Sequence, residues 1–220
     1  MLTSILQDPE MDIRRLAMTT FTSAANNKPD MVLGHLSKLM PFVFAESTVK
    51  PELIREVMMG PFKITVDDGL ELRKGAYESL YALMEIAMPR ISIIELYDRI
   101  IAGLKDDNDI RALSNLMLSK LAVIDPPETQ RRLDTIAEAF RATLSTKLKE
   151  NSVKQEYEKQ EEAARSVLRT TLLLSDKLKG TFGSGQCQVW SAYLDWVNKD
   201  FDRQLRQLRE ENDKIGHTYA

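Results

Sequence analysis

The side chains able to do catalytic or metal chemistry are few and scattered in this sequence. Asp67-Asp68 and Asp106-Asp107 are adjacent acid pairs that could hold a cation. A calcium loop needs an Asp-x-Asp-x-Asp-Gly run with a distal Glu. Neither pair is followed by one, so helix capping is the expected role. His35 and His217 stand far apart, and Cys187 has no neighbouring His or basic group to activate it. There is no phosphate-cradling GxxxxGK[ST] and no HExxH. The "GSGQ" at 183–186 follows no strand, so it reads as linker. The expectation is a non-enzymatic chain with no catalytic residue, metal or cofactor.

What remains is a pattern suited to contact. The stretch "PELIREVMMGPFKITVDDGLELRK" begins at Pro51, and in it Phe62, Ile64 and Val66 alternate with Lys63 and Thr65. That is the period-two signature of a half-exposed strand. Leu53, Arg55 and Val57 alternate with Ile54, Glu56 and Met58, and Met59-Gly60-Pro61 supplies a reversal. A hairpin over about 49–68 is expected. An isolated two-stranded hairpin is marginal in water, so one with apolar residues on both faces needs cover. It either folds onto its own helices or meets a partner; periodicity alone does not choose.

Helices must carry that hairpin. "DIRRLA" at 12–17, "ELRKGA" at 71–76 and "DIRALS" at 109–114 each place an acid, an aliphatic residue and an Arg ahead of a small residue. Acidic turns precede all three, "QDPEM", "TVDDG" and "KDDND". Apolar stripes follow at helical spacing: Ile13, Leu16, Ala17, Thr20 and Phe21; Leu72, Ala76, Leu80 and Leu83; Ile110, Leu113, Met117 and Leu121. Partner helices are expected over 30–44, 92–104 and 128–144, the last opened by Pro126-Pro127. Arg73 and Arg111 are 38 positions apart, near the roughly 40–47 residues of a HEAT or armadillo unit. Arg14 and Arg73 are 59 apart, and the surplus coincides with the hairpin. Arg165, at 54 beyond Arg111, is the expected equivalent in a fourth inner helix from about Glu161.

The fold class expected is all-α: a HEAT-repeat α-α superhelix, or solenoid, with one inserted β-hairpin. An irregular helical bundle is the alternative. HEAT-like repeats are expected over 1–174, with a second insertion at about 147–160. A linker over 175–189 and a C-terminal capping helix and tail over 190–220 complete the division. In the second insertion, Lys154 and Glu158 are four apart, as in an ordinary solvated helix start; a polar contact to a partner or to the hairpin base is the other reading. Little precedes the first inner helix, so the chain reads as the tail of a longer array. The net charge of −3 and the lack of a basic stripe disfavour nucleic acid. The apolar runs are short for a membrane span, and a lone cysteine suits a reducing compartment.

The run "LIREVMMGPFKITVDDGLELRKGAYESLYALME" resembles the C-terminal region of the cullin-associated, neddylation-dissociated family, HEAT-repeat regulators of cullin–RING ubiquitin ligases. The resemblance continues through "GLKDDNDIRALSNLMLSKLA", "RLDTIAEAFRATLSTKLKENSVKQEYEKQEE" and "ARSVLRTTLLL", over roughly 27–174. After Leu174 the sequence departs from that pattern. The resemblance implies binding to the N-terminal region of an unmodified cullin, in competition with a Skp-type adaptor, so that substrate receptors exchange. It places the hairpin at the contact, with Leu53, Val57, Met58, Phe62, Ile64 and Val66 as apolar residues and Arg55, Glu56 and Lys63 as polar ones. Contact with the RING subunit is implied for earlier repeats, and the expected location is cytoplasm and nucleus. The alternative function is a general HEAT-repeat adaptor, or a transport-receptor-like fragment, that binds through its helical surface.

Overall fold

A computed structural model describes residues 2–148, 152–179 and 187–218, in two compact units, Met1–Arg99 and Ile100–Ala220. The described residues form an all-α, HEAT-like repeat protein carrying a two-stranded hairpin. In the first unit, α1 (Leu2–Ile5), α2 (Met11–Asn27), α3 (Pro29–Leu33) and α4 (Leu36–Glu46) precede the antiparallel pair β1 (Ile54–Met59) and β2 (Phe62–Asp67). Helix α5 (Leu70–Ile86) follows directly, and α6 (Ile93–Gly103) runs into the second unit. That unit holds α7 (Asn108–Ile124), α8 (Pro126–Arg131), α9 (Leu133–Leu144), α10 (Lys154–Lys177), α11 (Gln188–Asp200) and α12 (Asp202–Thr218).

The repeat is sharper than the hexamer motif conveys. Helices α2, α5 and α7 are each 17 residues long. Each ends at a residue that leaves helical geometry, Lys28, Ala87 and Asp125, with φ of −143°, −142° and −138°. Pro29, Pro89 and Pro126 follow within two positions and prevent continuation. The helices expected as continuous over 30–44 and 128–144 are each broken. His35 N donates to Val32 O at 2.9 Å and Arg132 N to Thr129 O at 3.1 Å, i to i−3 bonds that tighten the turn at the break. Gly34, a poor helix former, stands at the first break.

The shared arginine has a structural role that spacing did not disclose. Arg14 Nη1 donates to Asp8 O at 2.7 Å, Arg73 Nη2 to Asp67 Oδ2 at 2.9 Å and Arg111 Nη2 to Asp106 O at 2.8 Å. In each repeat the fourth helical residue reaches back and ties the preceding turn to its helix. Arg165 does not do this. It lies in the middle of α10 and pairs with Glu211, because α10 begins at Lys154 rather than near Glu161. Glu156 accepts the Val153 N–H at 3.2 Å and starts that helix early. Residues 154–160 of the expected second insertion are therefore helical, and 149–151 lie outside the described residues, as do 180–186 of the expected linker.

Packing in the first unit runs through α5, which is buried on almost every side and contacts α2 and α4. Leu72, Ala76, Leu80 and Leu83 are all core, as their stripe implied. The stripe on α2 is rotated from expectation. Ala17, Met18, Phe21 and Ala25 are buried, whereas Ile13 and Leu16 are 42 % and 69 % exposed. The reason is the fit to α5: a Cβ on Gly75 would sit 3.3 Å from Met18 Cγ, and Thr22 Oγ1 lies 2.8 Å from Ser79 Oγ. In the second unit α7 packs on α10, and α9 on both α10 and α11. Tyr193 is fully buried beside Trp190 (ring centroids 5.4 Å) and Phe140 (6.1 Å), and its hydroxyl lies 2.7 Å from Thr171 Oγ1. Burial pushes the Tyr193 phenol far above its ordinary pKa. The single capping helix expected over 190–220 is two helices, parted at Phe201, whose backbone has left helical geometry at φ −122°.

Candidate protein-binding hairpin

The hairpin closes through a two-residue turn, Gly60-Pro61, with Met59 paired to Phe62. Gly60 sits at φ +59°, and proline confines its own φ to about −65°. A type I′ turn needs positive φ at both positions, so the chemistry selects the II′ pattern. Gly60→Ala meets no steric neighbour within 4 Å, so its cost is backbone strain of about 1–2 kcal/mol. The expected outcome is exchange of the strand amides faster by roughly tenfold, with helix amides unchanged, measured by hydrogen exchange.

Register decides what each face presents. Residues directly opposite share a face, so Arg55, Val57 and Met59 stand with Val66, Ile64 and Phe62. Ile54, Glu56 and Met58 stand with Asp67, Thr65 and Lys63. The first face is an apolar ladder with one charge at its base, where Arg55 Nε and Nη2 bind Asp68 Oδ2 and Oδ1 at 2.6 and 3.1 Å. That hydrogen bond holds the Asp68 carboxyl below the usual carboxylate range. The second face carries the Glu56–Lys63 ion pair. Of the apolar contact residues expected from sequence, Val57, Ile64 and Val66 share one face and Phe62 pairs in register with Met59; Met58 is on the other face, 66 % exposed. Met59, read from sequence as part of the turn, is a strand residue of the apolar face and 61 % exposed.

Leu53 belongs to the base of the hairpin. It ends a 3₁₀ turn (Pro51–Leu53), its carbonyl accepts from Asp68 N at 3.1 Å, and it is half-buried. A Cβ on Gly69 would come within 2.9 Å of Leu53 Cδ1, so a larger residue there would make the Leu53 side chain shift. Asp67 locks the same corner: Oδ1 accepts from Gly69 N at 3.0 Å and Oδ2 from Arg73, whose side chain is buried in α5. The hairpin is thus tied to the core at one end and exposed along most of its length.

The acids considered as cation ligands have structural partners. Asp107 caps α7 by accepting Asp109 N at 3.1 Å, and Asp106 Oδ1 accepts Asp107 N at 2.7 Å. Among the described residues, no three His, Cys, Asp or Glu side chains group as metal ligands. Cys187 is half-buried with its Sγ 3.5 Å from Gln130 O, and burial pushes the thiol pKa up, away from the reactive thiolate. No helix among the described residues is long and apolar enough to cross a membrane.

Comparison with known proteins places these features in a lineage. The TIP120 family model, TATA-binding protein interacting (TIP20), matches residues 31–198, which include the hairpin and every helix from α4 to α10. The chain belongs to this family. It is 47 % identical over 211 residues to the C-terminal part of Cullin-associated NEDD8-dissociated protein 1 of Emericella nidulans, covering 96 % of the chain and 20 % of that relative. It is 48 % identical over 170 residues to Cullin-associated NEDD8-dissociated protein 1 of Drosophila melanogaster, and 45 % over 169 residues to Cullin-associated NEDD8-dissociated protein 2 of Mus musculus. Each of these two alignments spans 77 % of the chain but 14 % of the relative. The resemblance read from "MGPFK" and its surroundings is borne out. A TIP120-family chain of this length spans about a fifth or less of its relatives, and α12 lies beyond the matched residues.

Proposed function

We propose that this chain binds the N-terminal region of a cullin through the apolar face of its hairpin and there excludes a Skp-type adaptor. The observation that carries the reading is an apolar face on which Met59 and Ile64 are exposed and Val57 and Val66 half-buried, on a hairpin whose base is tied to buried Arg73. Exposed apolar strands are a liability unless something covers them, and the relatives are named as cullin-associated. Methionine adapts its shape to different surfaces, so Met59 suits a contact shared among several cullins. Release of one adaptor and entry of another follows from competition for one site, without catalysis by this chain. Contact with the RING subunit belongs to repeats of the longer relatives, and the reading places the protein in cytoplasm and nucleus.

The test is a pull-down of unmodified cullin N-terminal domain with this chain, with and without saturating adaptor. Retention that the adaptor abolishes is the expected result. Retention unchanged by adaptor would move binding to the helical surface, as for a general repeat adaptor, and no retention at all would remove the cullin from the proposal.

A further inference from the structure

Helix α10 begins with residues that suit neither a helix start nor a core. Val153 stands at its N-cap, where Ser, Thr, Asp and Asn are preferred and Val is among the poorest residues. It makes no side-chain cap bond, and at 62 % exposed it buries little apolar surface. Lys154 follows at the first helical position, a cation at the positive end of the helix dipole. Helices α7 and α8 start differently: Asp107 and Asp125 cap them by accepting the backbone N–H groups of Asp109 and Glu128. Local preferences broken together, with no gain in packing, mark a place that serves something other than folding.

In linear order, Val153-Lys154-Gln155-Glu156 is an aliphatic residue, a lysine, a spacer and an acid. Conjugating enzymes for small ubiquitin-like modifiers recognise that order: the aliphatic group anchors by desolvation, the acid by charge, and the lysine reaches the thioester. The order occurs three times in the chain, and the structure separates the three. In Leu104-Lys105-Asp106-Asp107, Leu104 is 1 % exposed and Asp107 is committed to capping α7. In Val49-Lys50-Pro51-Glu52, the Lys50 ammonium is held by Glu46 and its side chain is 24 % exposed. At the third, every residue from Val153 to Lys159 is exposed, and the Lys154 side chain is 89 % exposed. Its ion pair with Glu158, 3.3 Å between two exposed groups, is of a kind that contributes little. The backbone also suits an enzyme that needs an extended segment. Val153 is already extended at φ −74° and ψ 155°. The first N–H groups of a helix have no intrahelical partner. Opening residues 154–156 therefore gives up little: the bonds to Val153 O from Glu156 N (2.9 Å) and Tyr157 N (3.4 Å), and that from Val153 N to Glu156 Oε2 (3.2 Å).

We propose that Lys154 is an acceptor for a small ubiquitin-like modifier, recognised through Val153 and Glu156. The ammonium gives its proton to solvent, and the free amine attacks the thioester carbonyl that joins the modifier's C-terminal glycine to the conjugating enzyme's cysteine. A C–N isopeptide bond forms, the C–S bond breaks, and the cysteine leaves as thiolate. The amide product carries no charge, so conjugation also removes the unfavourable cation from the helix start. The proposal does not rest on cullin binding by the hairpin.

The test incubates the full chain with activating enzyme, conjugating enzyme, the modifier and ATP, beside a control peptide carrying an aliphatic-Lys-x-Glu sequence. The expected result is a conjugate whose isopeptide bond peptide mass spectrometry places at Lys154. Lys154→Arg should abolish it, whereas Lys50→Arg and Lys105→Arg leave it. Glu156→Gln keeps the reach back to the Val153 N–H but loses the charge, and should slow conjugation about tenfold or more. Val153→Ser supplies a better N-cap, so the helix is no less stable, yet conjugation should fall by a similar factor. Glu158→Gln removes the ion pair without touching the recognised residues and should leave the rate within about twofold. A modified control peptide beside an unmodified chain overturns the proposal. So does conjugation at another lysine in preference to Lys154, or a rate unchanged by both Glu156→Gln and Val153→Ser.

Discussion

Truncating Met59 and Ile64 together to alanine is expected to weaken binding of the proposed cullin N-terminal domain by about 100-fold or more. Both side chains lie on the apolar face, one opposite Phe62 and one opposite Val57. A central apolar anchor is worth about 2 kcal/mol or more at an interface, and 1.4 kcal/mol is about tenfold in affinity. Alanine is chosen over aspartate because like charges across the strands would melt the hairpin itself. Met58→Ala, on the opposite face, should change affinity by less than about threefold. The melting temperature of both variants should stay within about 2 °C of wild type, since exposed substitutions seldom exceed about 0.5 kcal/mol. Calorimetric titration and thermal unfolding together read the result. A large loss from Met58→Ala with none from the double variant would place the contact on the other face.

Phe21→Ala is expected to destabilise the first unit by about 3–5 kcal/mol, whereas Leu16→Ala should cost less than about 0.5 kcal/mol. The two residues were assigned to one stripe by sequence, yet Phe21 is fully buried and Leu16 is 69 % exposed. Removing a buried ring loses its transfer free energy and leaves a void that rigid neighbours fill only in part. Leu16 has little of either to lose. Denaturant unfolding followed by circular dichroism separates the cases. A comparable loss for both variants would mean that the α2 face is turned differently from the structure.

Much of the fold was legible because it is written in near neighbours. Apolar residues three and four apart made the helices readable, and alternation from Phe62 to Val66 did the same for a strand. The face of the hairpin was less legible because the reversal was read as three residues. A Met59-Gly60-Pro61 turn would pair Met58 with Phe62; the two-residue turn pairs Met59 instead and puts Met58 on the other side. The signal was present, since Gly followed by Pro suits a two-residue II′ turn. Leu53 is different. Its half-buried place against Gly69 follows from a 3₁₀ turn that alternation does not encode. The arginine motif was visible three times, but its purpose needed the fold, because the atoms it binds are main-chain carbonyls in two cases and a turn carboxylate in the third.

The sequence by itself determined the helical repeat, the interruption after the first partner helix and the family to which both belong, because local periodicity and long irregular motifs survive without a partner surface. Only the tertiary structure decided which side of α2 meets α5, where the outer helices break, which hairpin face gathers the apolar residues and where α12 comes to rest. Those outcomes depend on what lies opposite each residue. Met18 is core because Gly75 leaves room for it, and Glu211 is held because Arg165 and Arg169 stand across from it. A linear pattern fixes how often a face recurs; the neighbour packed against it fixes which way that face turns.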